Sequence, residues 1–162
     1  MKILTEEDIK WKGKEYYESL KPKFNHGKIN YLYEKTYRQP YSIGYVSKLL
    51  RRLRPESYED GYNKYLKSGY DEISQPRKFR GRTVDELEDL AIKWKEESHS
   101  RMPVSMFYDA LILHAVVETV YGNIMEGRAE EIYRRHGFEI IESSEEDDRN
   151  GGIDFIAEKE GQ

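Results

Sequence analysis

Apolar positions fall into helical registers over most of the chain and change to a strand-like pattern only near its end. Thr5-Glu6-Glu7-Asp8 has the form of a helix start, with a capping hydroxyl and acidic residues in the first turn. The pattern carries that helix to about Leu20, before Pro22. Residues 21–40 keep no clean period and read as an extended, basic, aromatic-rich loop. From Tyr41 to Arg54, Ile43, Val46, Leu49, Leu50 and Leu53 recur at helical spacing, and Pro55 ends the run. A weaker helix follows over Ser57–Tyr70. Thr83-Val84-Asp85-Glu86 is a capping box that opens a helix through Leu87, Leu90, Ala91 and Trp94. Pro103 precedes the most apolar helix, Val104 to about Val120, which is expected at the centre of the core. Gly122-Asn123 is expected to break or kink it, and a further helix runs from Ile124 to His136 with Gly137 as its C-cap.

Beyond Gly137 the period shortens. Phe138–Ile141 and Ile153–Ala157 read as strands on either side of an acidic loop, Ser143–Gly152, and Lys159-Glu160-Gly161 as a hairpin turn. The fold expected from these elements is α-rich α/β, with five or six N-terminal helices followed by the start of a mixed sheet. Residues 1–102 form a helical, basic region in this reading. Residues 103–162 form a helix-helix-strand-strand segment, and the whole packs as one compact domain.

Charge sharpens the picture. Residues 1–54 carry 13 Lys and Arg against 6 Asp and Glu, whereas residues 101–162 carry 6 against 14, within a net charge of −4. A basic half joined to an acidic half suits a polyanion partner on one side and clustered carboxylates on the other, or simply an uneven surface. Two basic segments stand out. Lys48, Arg51, Arg52 and Arg54 flank the apolar stripe of the second helix, and Arg77, Lys78, Arg80 and Arg82 surround Phe79. Either could grip nucleic-acid phosphates, and either could be a solvated face.

Composition excludes other chemistry. With no cysteine there is no disulfide, thiolate nucleophile or Cys-based metal site. No apolar run approaches the length needed to cross a bilayer, and the N-terminus has no signal-peptide character, so a cytoplasmic protein is expected. Abundant Glu, Lys and Arg with scarce Asn and Gln lean towards a thermophilic composition. The four histidines are too scattered to form a metal set, and His114 on an apolar helix reads as a core histidine.

The last 40 residues carry a more specific pattern. It comprises Glu126-Gly127-Arg128-Ala129-Glu130-Glu131 on a helix, His136-Gly137-Phe138-Glu139-Ile140-Ile141, and Gly151-Gly152-Ile153-Asp154-Phe155-Ile156-Ala157. This order resembles the PD-(D/E)xK, or restriction-endonuclease-like, nucleases. With Lys28-Ile29-Asn30-Tyr31-Leu32 and Arg38-Gln39-Pro40-Tyr41-Ser42-Ile43-Gly44, the chain is most similar to MjaI-like type II restriction endonucleases.

The resemblance implies Mg²⁺ held by Asp154 and Glu126, the two catalytic candidates. It also implies duplex DNA as substrate, gripped by Lys48, Arg51, Arg52, Arg77, Lys78, Arg80 and Arg82, and a homodimer on a palindromic site. Glu126 is preferred over Glu130 and Glu131 because it lies nearest the stripe Met125, Ala129, Ile132 and His136, which is expected to be buried. Asp147 and Asp148 read as a solvated loop. The family's (Asp/Glu/Gln)-x-Lys would open at Gln162, which implies a truncated or inactive form of the enzyme. The alternative is a non-catalytic DNA-binding protein or nuclease remnant.

Overall fold

The computed structural model describes residues 3–24, 43–142 and 155–159. The chain divides into two compact units, residues 1–120 and 121–162. The first is helical. A short helix α1 (Lys14–Glu18) is followed by α2 (Val46–Leu53), α3 (Tyr58–Asp71), a 3-10 turn at Arg77–Phe79, α4 (Val84–Glu97) and α5 (Val104–Ile112). A π-helical stretch, Leu113–Val117, leads without interruption into α6 (Glu118–Arg135).

Capping chemistry accounts for several starts. The Thr83 hydroxyl accepts from the Glu86 backbone N–H, and the Glu86 carboxylate accepts from Thr83 N–H, so the capping box of α4 is complete. Ser57 caps α3 in the same way through Asp60 N–H. At the other end of α2, Lys64 Nζ donates to the carbonyls of Leu53 and Arg54, 3.1 Å each, satisfying acceptors that a helix C-terminus leaves open.

The long N-terminal helix expected from Thr5 does not form. Thr5 and Asp8 do cap each other reciprocally, but only one turn follows, and Gly13 at φ 87° redirects the chain before α1. What fixes this segment is tertiary. Asp109, a lone acid on apolar α5, is almost fully buried. It accepts from Lys12 Nζ at 2.9 Å and from Tyr16 OH at 2.8 Å. Tyr62 OH meets Tyr108 OH at 2.6 Å and also donates to the Ile9 carbonyl. Buried Glu88 accepts from the backbone N–H groups of Ile3 and Leu4 at 3.0 and 2.8 Å. Trp11 stacks on Tyr17 beside this network.

The helix through residues 104–117 is the centre of the first unit. Every residue from Phe107 to Leu113 is buried, as are Ala115, Val116 and Val117. Phe24, Trp94 and Phe107 cluster at 5.2–5.3 Å on one side, Phe107 edge to face with both of the others. On another, α3 comes so close at Gly61 that a Cβ there would lie 2.7 Å from Val120. Residues 104–135 include a stretch apolar enough to cross a membrane by length and composition, contrary to the sequence expectation. Since 72% of it is buried inside the fold, packing accounts for its apolarity.

Gly122-Asn123 does not break this helix, because α6 runs through both. The irregularity falls earlier, in the π-helical stretch, where a widened turn carries His114 beside Glu118 at 3.3 Å. Gly137, at φ 84°, ends α6 and donates to the Arg134 carbonyl, as a left-handed C-cap does.

The expected α/β fold is not what the chain adopts. The described residues are mostly helical, and no mixed sheet core is present among them. Among the described residues of the second unit, the strands are two short antiparallel ones, β1 (Phe138–Glu142) and β2 (Phe155–Lys159), in register Phe138↔Lys159 through Glu142↔Phe155. Among the described residues these two strands pair only with each other, and a two-stranded ladder cannot form the interior of a domain.

The Lys12–Asp109 pair yields a first prediction. Burial pushes the Asp109 carboxyl above the ordinary aspartate range, against the pull of Lys12 and Tyr16. Lys12→Ala leaves that charge uncompensated and should cost about 3 kcal/mol at neutral pH. Because the raised carboxyl is protonated early on acidification, the deficit should shrink as pH falls towards 4. Urea unfolding of both proteins across pH checks this, and a pH-independent deficit would show that lost packing, rather than charge, is the cause.

Candidate nucleic-acid interface

The two basic segments of the sequence are brought together by the fold. Residues 76–83 lie between the start of α2 and one face of α3, and glycine permits both approaches. A Cβ on Gly81 would lie 1.9 Å from the Tyr65 carbonyl oxygen, and one on Gly69 would lie 2.3 Å from the Arg82 carbonyl carbon. Opposite, Gly44 at φ 88° sits against the Arg80 carbonyl, and Tyr45 N–H donates to the Lys78 carbonyl at 2.9 Å. Ser68 Oγ accepts from Gly81 N–H at 3.1 Å and donates to Glu72. Tyr65 OH donates to the Ile43 carbonyl at 2.7 Å.

Inside this loop sits Arg82, completely buried. Its guanidinium donates to the carbonyls of Arg77, Arg80 and Gly81 at 2.7, 2.9 and 3.1 Å. Burial lowers its pKa from the arginine range, yet an arginine stays charged in proteins, so the loop's carbonyls converge on a fixed cation. Arg80 is also buried. It donates to both Glu86 carboxylate oxygens, at 2.8 and 3.1 Å, and to the Gly81 carbonyl. These two arginines, expected to contact DNA, are therefore components of the interior. Their carbonyl and carboxylate partners occupy the donors that a phosphate would need.

Of the remaining cations of the two segments, Lys48, Arg52 and Lys78 line a common groove of about 420 Å³, together with Tyr45, Glu72, Gln75 and Phe79. Arg52 bridges its walls, donating to Glu72 at 2.9 Å and to the Phe79 carbonyl at 3.4 Å. The hydrogen bonds from Arg52 and Ser68 hold the Glu72 carboxyl below the usual glutamate range. Phe79 is 48% exposed although the backbone around it is tied down. The Lys78 ammonium lies 4.9 Å from the Phe79 ring centre and 6.0 Å from that of Tyr45. Arg77 stands beside the groove, 3.6 Å from Glu86 and about half exposed. Arg51, on the same helix, does not line the groove.

Of the two candidate metal ligands, the structure describes only Glu126. Glu126 is half-buried on α6, and Asp154 lies outside the described residues, as do Asp147 and Asp148. The stripe that favoured Glu126 is not buried: Met125 and Ile132 are 43% and 56% exposed. Among the described residues no three His, Asp or Glu side chains gather closely enough to hold a metal ion.

Sequence reasoning missed Tyr45 and Gln75, which became part of the groove only when α2 met the loop. It also missed Asp109, although an acid inside Val104–Leu113 is a visible anomaly. Comparison of the chain with models of known families, with curated proteins and with solved structures finds no match in any of the three. The likeness to restriction-endonuclease-like nucleases therefore rests on the sequence pattern alone. Fold and groove define a helical domain that presents cations and aromatic rings on one rigid rim.

The Arg80–Glu86 pair generates a pH prediction. Burial alone would raise the Glu86 carboxyl, but the Arg80 hydrogen bonds, the Thr83 N–H and the nearby Arg80 and Arg77 charges outweigh it and hold the group below the usual glutamate range. A depressed carboxyl stabilises the fold at neutral pH, and that contribution disappears as pH falls from about 4.5 through the depressed value. Glu86→Gln should lose about 1–2 kcal/mol at pH 7 and converge on the parent protein in acid. Parallel stability curves at all pH values would assign the loss to geometry instead.

Proposed function

We propose that this chain binds DNA through the groove between α2 and the 76–83 loop. The observation carrying this reading is the meeting of Lys48 and Arg52 with Lys78 at one aromatic-lined groove, from segments that are separate in sequence. Three cations within one groove suit a phosphate backbone, where affinity comes largely from release of condensed counterions. The rigid loop supports that role, because a preorganised cation loses less freedom on contact. Arg77 widens the same positive rim. A cytoplasmic location and a homodimer on a palindromic duplex belong to the same proposal. Magnesium-dependent hydrolysis by Asp154 and Glu126 has only the sequence resemblance behind it, so binding rather than cleavage is proposed.

Titration of a labelled duplex against salt tests this reading. The parent chain should bind with an affinity that falls steeply as salt rises. Lys48→Ala/Lys78→Ala should weaken binding and flatten the log–log slope by about 2, roughly 0.9 for each lost phosphate contact. Absence of binding at low salt, or a slope unchanged by the double variant, would remove the groove from the account. Parallel samples with Mg²⁺ and with EDTA separate binding from cutting, and Mg²⁺-dependent cleavage would restore the nuclease reading.

A further inference from the structure

Phosphate contacts do not explain Phe79. A ring 48% exposed, on a backbone fixed by its own N–H to the Pro76 carbonyl at 3.0 Å and by Arg52 at its carbonyl, gains nothing from an anion. In paired DNA each base face is covered by its neighbours and unavailable to such a ring. We infer that the groove takes one unpaired nucleobase, stacked on Phe79, with the flanking phosphates on Lys48 and Lys78; this rests on the DNA-binding reading above.

Four observations converge on that ligand. The groove, about 420 Å³, lies within the range of small-ligand sites. Tyr45 meets Phe79 edge to face, with ring centres 6.3 Å apart, so the platform has an aromatic wall beside it. Gln75, exposed at the rim, carries an amide donor and acceptor suited to a base edge. The Lys78 ammonium meanwhile rests against the Phe79 ring at 4.9 Å. A nucleic-acid strand supplies a replacement for each half of that contact, a base for the ring and a phosphate for the ammonium. Lysine, with its flexible stem, can make the exchange without moving the loop. Aromatic stacking beside a positive track is how single strands are held without sequence readout.

The test uses the full chain and three labelled DNAs of equal length: a fully paired duplex, the same duplex with one unpaired nucleotide, and the single strand. The single strand is expected to bind about tenfold more tightly than the paired duplex, in line with stacking of one base. Phe79→Ala should abolish that preference, bringing single-strand affinity to the level of the paired duplex, and Phe79→Trp should retain it. A preference shared by the bulged duplex identifies any unpaired base as the ligand. Preference for the bulge alone identifies a base extruded from a duplex. Equal affinity of the parent protein for all three, or equal weakening of all three by Phe79→Ala, overturns the stacking inference alone. No binding to any of them overturns the DNA reading itself.

Discussion

A buried cation surrounded by backbone organises the loop that forms one wall of the basic groove. Arg82 collects three carbonyls of its own loop, and Gly69 and Gly81 let that loop rest directly on α3. The desolvation of a guanidinium is costly unless its donors are filled. The loop therefore has one low-energy shape, the one in which the Arg77, Arg80 and Gly81 carbonyls turn inwards. The side chains of Arg77, Lys78 and Phe79 are left on the outside as a consequence. The rim is held by polar contacts of its interior arginines, a different route to order from the aromatic packing around Trp94.

The same arithmetic divides the cations of residues 77–82 into two kinds. Arg80 and Arg82 hold the loop's shape, whereas Arg77 and Lys78 are what the shape presents. In sequence the four are equivalent, since each is a basic residue near an aromatic and a glycine. Nothing local distinguishes them. The distinction comes from Glu86, a turn further on, and from residues 65–69, whose backbone the loop must touch. Gly81 was legible as a place where backbone comes close, but the close partner is the Tyr65 carbonyl of the protein itself. A glycine beside arginines signals close approach without saying to what.

Elsewhere, local chemistry was read well where it acts locally. The Thr83–Glu86 capping box, the stop after Leu53 before Pro55, and the Gly137 C-cap all involve groups a few residues apart, so the sequence contains both partners. The N-terminal segment fails for the opposite reason. Thr5 and Asp8 cap a turn as their spacing predicts, but Gly13 diverts the chain and Asp109, far along the sequence, fixes Lys12 and Tyr16 instead. The mixed sheet is a related case. Alternation around Ile140 and Ile156 can specify a strand and even a partner, but not the further strands that make a core.

Net charge misleads here in an instructive way. The chain is acidic overall, yet Lys48 and Lys78 lie together on the groove rim. Glu86 is drawn to Arg80, Glu72 to Arg52, and Asp109 to Lys12. Each pairing cancels one acid against one cation, Arg52 of the groove among them. Lys48 and Lys78 stand where that subtraction leaves positive charge, beside a ring that no ion requires. The combination is more demanding than a basic patch. It asks for a ligand that is anionic along its length and flat and apolar at one point, and a nucleic-acid strand with an unpaired base has both properties in the right order.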